Sequence, residues 1–575
     1  MTSIWSLPDG DPAACGALAS ALGIGPLAAA VLCRRGFTDP QAARRFLHPS
    51  LDYLHDPRLL RGMDAAVERL QRAIRAHEKI LIYGDYDVDG TTSTVLLIKA
   101  IELAGGAAEY HVPHRLKDGY GMRSEVVETA ASGGVSLIVS VDTGIRAAGV
   151  VRRAAELAID VIVTDHHLPE PELPPALAVL NPNRPDCPYP DKNLCGAGVA
   201  FKLAQALLDT LPWPADKRRR VAESLLKLVA IATVADVVPL TGENRVIVKY
   251  GLDGLHDVHN PGLRALLDVA GFTGAAAPGA RQVAFQIAPR LNAAGRMDSA
   301  RNAVELFLTR DPARAAELAR GLQEQNADRQ QVEAKVRDIC ERVAVQPAEA
   351  ALVYYDEQWH RGVIGIVASR LVERFHRPVF VIGKNPDDGL AQGSGRSIPG
   401  FHLLDALESM SDLFVRFGGH EHAAGVTLDP AHVDEFRRRF NARAAASLRP
   451  EDFLPRLPID ALASLDALTW PNIAEVFTLA PFGHGNPVPL FAALDVEVTA
   501  TAPLGKEEKH LKVAVRRGAR TLSLKAWGFV PRSSEIQPGA HVDIAFTLEE
   551  DAYSAARGYP AWAAVLRDVR PSTSF

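Results

Sequence analysis

Cysteine, net charge and long apolar runs are all scarce in this 575-residue sequence, and each scarcity removes a class of protein. The five cysteines (Cys15, Cys33, Cys187, Cys195 and Cys340) are odd in number, sparse and without a CxxC pair. Neither a disulfide framework nor a thiolate zinc site organises such a chain, so Cys187 and Cys195 read as core or loop thiols. The charges nearly balance, 63 Lys and Arg against 69 Asp and Glu, for a formal net charge of −6. A nucleic-acid binder is often basic overall; if this chain is one, its positive charge must be local. No stretch is long and apolar enough to span a bilayer. The best candidate, LLKLVAIATVADVVPL at 225–240, contains Lys227 and Asp236. The N-terminus, MTSIWSLPDGDPAACG, lacks a basic region followed by an apolar core. A cytoplasmic protein with no membrane partner is expected.

What is present is ordinary for a globular protein, 47% hydrophobic and 23% charged. The length predicts roughly three to five domains. Residues 1–50 read as a small helical lead-in. From about 79, short apolar runs (KILIYGD, SLIVSVDTG, DVIVTDHH, ALAVLNP) alternate with helical patterns, which predicts a mostly parallel α/β sheet within a domain spanning 51–265. Residues 266–345 form a helical connector, with 300–345 helical throughout. A second α/β unit occupies 346–450. Period-two segments between turn signals in 451–575 suit a small barrel, an OB-type barrel among the options.

The stretch ILIYGDYDVDG at 80–90 gathers Asp85, Asp87 and Asp89 behind a strand, where like charges repel. Asp142 follows LIVSV, and Asp165, His166 and His167 follow VIVT. All lie at C-terminal ends of predicted parallel strands, where open α/β sheets bind ligands. Asp236, ending a helix in TVADVVPL, can join them. Carboxylates and imidazoles without thiolate suit Mn²⁺ or Mg²⁺ better than structural zinc. There are ligands enough for two ions, and paired metals about 3.5–4 Å apart clamp a phosphoryl displacement. Taken singly, each Asp is as well explained as a helix cap or turn residue. DVDGT also matches the D-x-D-G-T signature of haloacid-dehalogenase phosphatases, a reading that leaves DHH unexplained.

The series DYDVDG, VDTG, DHH, GAGVAFK and TVADVVPL resembles the motifs of the DHH phosphoesterase superfamily, and its RecJ branch in particular. Downstream, RLNAAGRM, WHRGVIGIVASR, GSGRS, GFHL and FGGHEHAAG are similar to the DHH-associated part. The resemblance implies two α/β domains, DHH and DHH-associated, joined by a long helix, plus a C-terminal OB-type β-barrel. It implies Asp87, Asp89, Asp142, His166 and Asp236 as ligands of two Mn²⁺ or Mg²⁺ ions, with Asp142 bridging. It implies His167 on the scissile phosphate, Asp165 orienting the histidines, and Asp85 as an extra ligand or a support. Related pyrophosphatases carry a His where this chain has Tyr83, which leaves one ligand of the first metal unassigned.

Glycine amides, Ser394 and Arg396 in GSGRS, and Gly418, Gly419 and His420 in GGH, suit anion binding, and Arg115 and Arg296 can point into the same cleft. By resemblance these hold a 5′-phosphate. In the C-terminal part, Lys506, Lys509, Lys512, Arg516, Arg517, Arg520 and Lys525 stand against only Glu507 and Glu508 nearby, with Trp527 and Phe529 following. That suits single-strand binding by charge and stacking, or simply an exposed charged β-face. The activity implied is 5′-to-3′ exonuclease action on single-stranded DNA, releasing 5′-mononucleotides, in recombination and repair. A nucleoid-associated monomer working with a helicase and a single-strand-binding protein is the expected setting. A DHH enzyme of oligoribonucleotides or cyclic dinucleotides, and an inactive nucleic-acid-binding relative, remain the alternatives.

Overall fold

The computed structural model describes residues 3–8, 11–115, 118–274, 277–297, 299–343, 349–505, 509–558 and 560–572. It divides into two compact units, one of residues 50–449 with 483–486, the other of 1–49, 450–482 and 487–575.

The larger unit begins with five parallel strands: β1 (Lys79–Tyr83), β2 (Ala108–His111), β3 (Val135–Val141), β4 (Asp160–Thr164) and β5 (Ala178–Leu180), ordered β2-β1-β3-β4-β5. Their β-branched runs are buried on both faces, as a sheet covered by helices requires. On one face pack α1 (Val88–Leu103), α2 (Gly196–Asp209) and α3 (Ala215–Ala235). The core they share runs on through Leu291, Val304 and Phe307 to Leu322, well past the expected boundary at 265. Periodicity marks an apolar face but not the core that face joins.

The stretch 300–345 is not helical throughout. It breaks at Thr309–Asp311, where Asp311 caps α4 (Pro312–Arg342) and Pro312 opens it. Leu318 and Leu322 of α4 lie in the first core, Val336 and Cys340 in the core of the second α/β layer. That layer is β6 (Leu352–Tyr355), α5 (Arg361–Phe375), β7 (Val379–Lys384), β8 (Ala391–Arg396), β9 (Phe414–Gly419) and β10 (Ala423–Leu428), ordered β9-β10-β8-β7-β6. Only β6 and β7 pair parallel.

The smaller unit is a closed five-stranded barrel of β11 (Leu490–Leu504), β12 (His510–Arg517), β13 (Arg520–Ala526), β14 (His541–Glu550) and β15 (Trp562–Pro571). Closure runs β11-β12-β13-β15-β14 and back to β11. Residues 1–50 are no separate lead-in. Strand Ile4–Ser6 pairs with Arg456–Pro458, and Leu27, Leu32 and Phe46 share one core with Phe491, Leu524 and Phe546 of the barrel. Among the described residues no single helix is long and apolar enough to cross a membrane.

Candidate metal centre and anion cleft

The C-terminal ends of β1, β3 and β4 bring the acidic clusters together. His166 Nε2 lies 3.3 Å from Asp142 Oδ1, 3.7 Å from Asp236 Oδ2 and 3.8 Å from Asp89 Oδ2. Asp85, Asp87 and Asp142 form one group with ligand atoms within 4.8 Å of one another, and Asp89, His166 and Asp236 form a second, with no residue in common. A third group, Asp142 with both histidines, links them.

Asp85 Oδ1, Asp142 Oδ1, His166 Nε2 and Asp236 Oδ2 are buried without a hydrogen-bond partner. Lone pairs left so cost free energy unless a cation meets them. The carboxyls register the strain: burial, then Asp87, pushes Asp85 up to about 8. Burial, then Asp89 and Asp87, raises Asp236 to about 9. Burial, then Asp89 and the other neighbouring carboxylates, raises Asp142 well above the usual carboxylate range. Acceptor atoms without donors, in two trios of carboxylate and imidazole, fit two hard divalent cations. Cys195 is buried nearby and within 3.5 Å of Thr233 Oγ1, among the core thiols.

The surrounding backbone is built for this crowding. Asp142 itself sits at φ 59°, a left-handed conformation uncommon for a non-glycine residue. Both Asp89 oxygens accept from the N-terminus of α2, from Gly196 N at 2.6 Å and Ala197 N at 2.7 Å. A Cβ at Gly196 would fall 2.6 Å from Asp142 Oδ1, and one at Gly90 2.6 Å from the backbone of Asp85. The motif GAGVAFK thus supplies two amides to one acid and clearance to another.

Asp165 is fully buried and belongs to none of the three groups. Its Oδ1 accepts from His166 N (2.7 Å) and His167 N (3.1 Å) and pairs with His167 Nδ1 (2.7 Å), while Oδ2 accepts from Ile145 N (2.9 Å). Burial alone would raise its carboxyl; the bonds from His167 and the backbone outweigh burial and hold it low. Tyr120, which sequence reasoning missed, covers His167. Its hydroxyl lies 3.2 Å from Nδ1 and donates to the Asp142 carbonyl at 3.3 Å. Nothing in the loop KDGYGM signals this, since it depends on how 118–123 folds back over β3 and β4.

A cleft of about 1360 Å³ opens beside the cluster. Arg115, Arg296, Ser394 and Arg396 all line it, as do Arg361 and Arg416, which sequence reasoning did not select. Burial, then Arg115 and Arg329, holds Arg296 down at about 10; burial, then Arg115, lowers Arg396. Among the described residues, Arg115, Arg296 and Arg396 make no ion pair. Half-buried guanidiniums set beside one another without an ion pair make a site for an anion. The residues of β9 that line the cleft are Arg416, Phe417 and Gly418. Gly419 and His420 lie past them at the turn into β10, where His420 Nδ1 accepts from His422 N. Tyr86 joins cleft to cluster: it stands between Asp85 and Asp87, and Arg115 lies 4.9 Å over its ring.

On the barrel, Lys506 lies outside the described residues. Lys509 is exposed just ahead of β12, and Lys512 and Arg517 are exposed on it. Arg516 pairs with Glu497 at 2.7 Å, Lys525 with Asp551 at 2.7 Å and Arg520 with Asp466 at 3.0 Å. The basic run therefore meets three acids distant in sequence and is less positive than its neighbours in the chain suggest. Trp527 is 49% exposed and stands edge-on to His510, with ring centres 4.8 Å apart.

Comparison with known proteins decides the family. Family models match at 79–233 (DHH family, N-terminal domain), 348–446 (DHHA1 domain) and 459–559 (RecJ OB domain). The single-stranded-DNA-specific exonuclease RecJ of Bacillus subtilis is 39% identical over 94% of this chain and 68% of its own length. That of Escherichia coli is 38% identical over 85% of this chain and 86% of its own. The chain belongs to the RecJ family. A crystal structure of RecJ in complex with Mn²⁺ from Thermus thermophilus covers 100% of this chain and 80% of that one, with 34% identity and a TM-score of 0.83. One with Mg²⁺ aligns at 0.77 over 99% of this chain and 79% of that one, with 32% identity. Membership in the RecJ family removes the rival haloacid-dehalogenase reading of DVDGT.

Proposed function

We propose that this protein is a metal-dependent exonuclease specific for single-stranded DNA, degrading from the 5′ end to 5′-mononucleotides in recombination and repair. One observation carries the reading: a cleft lined by Arg115, Arg296 and Arg396, none of which makes an ion pair among the described residues, borders the carboxylate cluster at Tyr86. A terminal phosphate held by Arg115, Arg296, Ser394 and Arg396 would direct the first phosphodiesters of the strand past Tyr86 toward the cluster. Cleavage there removes a mononucleotide.

Asp87, Asp89, Asp142, His166 and Asp236, with Asp85 in support, would hold two Mn²⁺ or Mg²⁺ ions. Bound there, the ions would neutralise the acids and supply Lewis-acid charge to the scissile phosphate. Asp89 is kept in place by the α2 amides and Asp142 by its strained backbone. Asp165 fixes the ring of His167, which faces the phosphate as hydrogen-bond donor or proton carrier. Exposed Lys512, Arg517 and Trp527 suit a passing single strand, by charge and by stacking. A helicase and a single-strand-binding protein, a monomeric state and nucleoid association complete the reading.

The test uses single-stranded DNA labelled at either end, with 5′-phosphate or 5′-hydroxyl, in Mn²⁺ and in chelator. Metal-dependent release of mononucleotides from the 5′ end, faster with 5′-phosphate, is expected. Release from the 3′ end would leave the metal site standing and remove the assignment of the arginine cleft.

A further inference from the structure

Phe285 stands in a segment, Val283–Ile287, that winds as a π-helix. Such turns are rare and gather at functional positions. Val283 and Ile287 are fully buried, whereas Phe285 is 63% exposed. The winding turns the phenyl ring out of the core and into the cleft. There it borders both the arginine cavity and an adjoining one of about 320 Å³, with Arg296, Ile366 and Arg370 common to both walls. The smaller cavity adds the amide side chains of Asn292 and Gln330.

A lone exposed Phe on an open surface means little. This one lies among guanidiniums, where an apolar ring gains nothing from phosphate. Tyr86, the other aromatic face beside Arg296, is already covered by Arg115. Among the described residues the ring of Phe285 pairs with no other ring or cation. A flat apolar face beside a phosphate site matches a nucleobase, the one part of a nucleotide with a flat apolar face.

We propose that Phe285 is a stacking platform for a base within the first nucleotides of the bound strand, and that it selects for unpaired DNA. In a duplex, both faces of every base but the terminal one are covered by its neighbours, and pairing holds each base in the stack; a single strand can swing one free. The inference rests on the exonuclease reading, and its test is made independent of cleavage.

Equilibrium binding of a 5′-phosphorylated oligonucleotide is measured in chelator, where no hydrolysis occurs, with Mn²⁺-dependent cleavage scored separately. Phe285→Ala is expected to weaken binding roughly ten- to hundred-fold, the range of one lost base stack, and Phe285→Trp to restore it. Abasic residues are then placed singly at the first four positions. At one of them the wild type should lose affinity by a similar factor, and Phe285→Ala should lose nothing more. Unchanged affinity in Phe285→Ala, or equal sensitivity of wild type and variant to every abasic position, would overturn the platform. Loss of the exonuclease reading alone would appear as binding without cleavage by the wild type.

Discussion

Replacing Arg296 by methionine should make the DNA-free protein more stable and its grip on DNA weaker. The guanidinium is half-buried, makes one long hydrogen bond, to the Gly362 carbonyl at 3.3 Å, and is held at about 10 by burial and by Arg115 and Arg329. A base lowered from 12.5 to about 10 penalises folding wherever it is charged in both states, that is, below about pH 10. At about 1.4 kcal/mol per unit the full penalty is roughly 3 kcal/mol. Water on the cleft side screens it to about 1–2 kcal/mol. Losing the hydrogen bond returns about 0.5–1 kcal/mol. A net gain of about 1 kcal/mol remains, constant between pH 5 and 9. The same guanidinium is worth about 1.5–3 kcal/mol to a bound phosphate, so affinity for 5′-phosphorylated DNA should fall roughly ten- to 150-fold. Urea unfolding of the metal-free protein gives the first quantity; binding of 5′-phosphate and 5′-hydroxyl oligonucleotides gives the second. A variant less stable than wild type, or one that loses affinity equally for both ends, would refute the reasoning.

Asp165→Asn should cost about 2–4 kcal/mol, because an amide cannot accept all four bonds of the buried carboxylate. It should also cut turnover by about two orders of magnitude while calorimetric Mn²⁺ affinity changes only a few-fold. Asp142→Asn relieves repulsion in the metal-free cluster, so its melting temperature in chelator should exceed the wild type's; addition of Mn²⁺ should raise the variant's melting temperature by less than the wild type's, because the Asp89, His166 and Asp236 group is intact. Asp551, held at about 2 by Lys525 and Ser554, stabilises the barrel unit above about pH 4 and loses that contribution as pH falls toward 2. Unfolding of Asp551→Asn followed from pH 5 to pH 2 should show a shallower decline than wild type.

Most of the acidic ligands could be read from the chain because Asp85, Asp142 and His166 follow strands by one or two residues, with Asp87 and Asp89 just beyond at a helix start, and strand ends are local signals; Asp236 ends a helix instead. Arg115, Arg296, Ser394 and Arg396 could be nominated one by one. That none of the three arginines finds an ion pair emerges only when 115, 296 and 396 meet in one cleft. Tyr120 and Phe285 escaped notice because their exposure is decided by a loop folding back and by one irregular helical turn. The barrel's charge was overestimated for the opposite reason: Glu497 reaches it from another strand, and Asp466 and Asp551 from turns outside the strands. The first fifty residues were misplaced because an amphipathic helix does not announce its partner.

That last feature bears on how the protein is made. The barrel unit is assembled from residues 1–49 and from residues after 449, with the larger unit inserted between them. At roughly 5–20 residues per second, the first helices wait about 20–80 s for the strands they pack on. Throughout that interval Leu27, Leu32 and Phe46 have no core to enter, so the nascent N-terminus keeps its apolar side chains exposed while the larger unit is already being made.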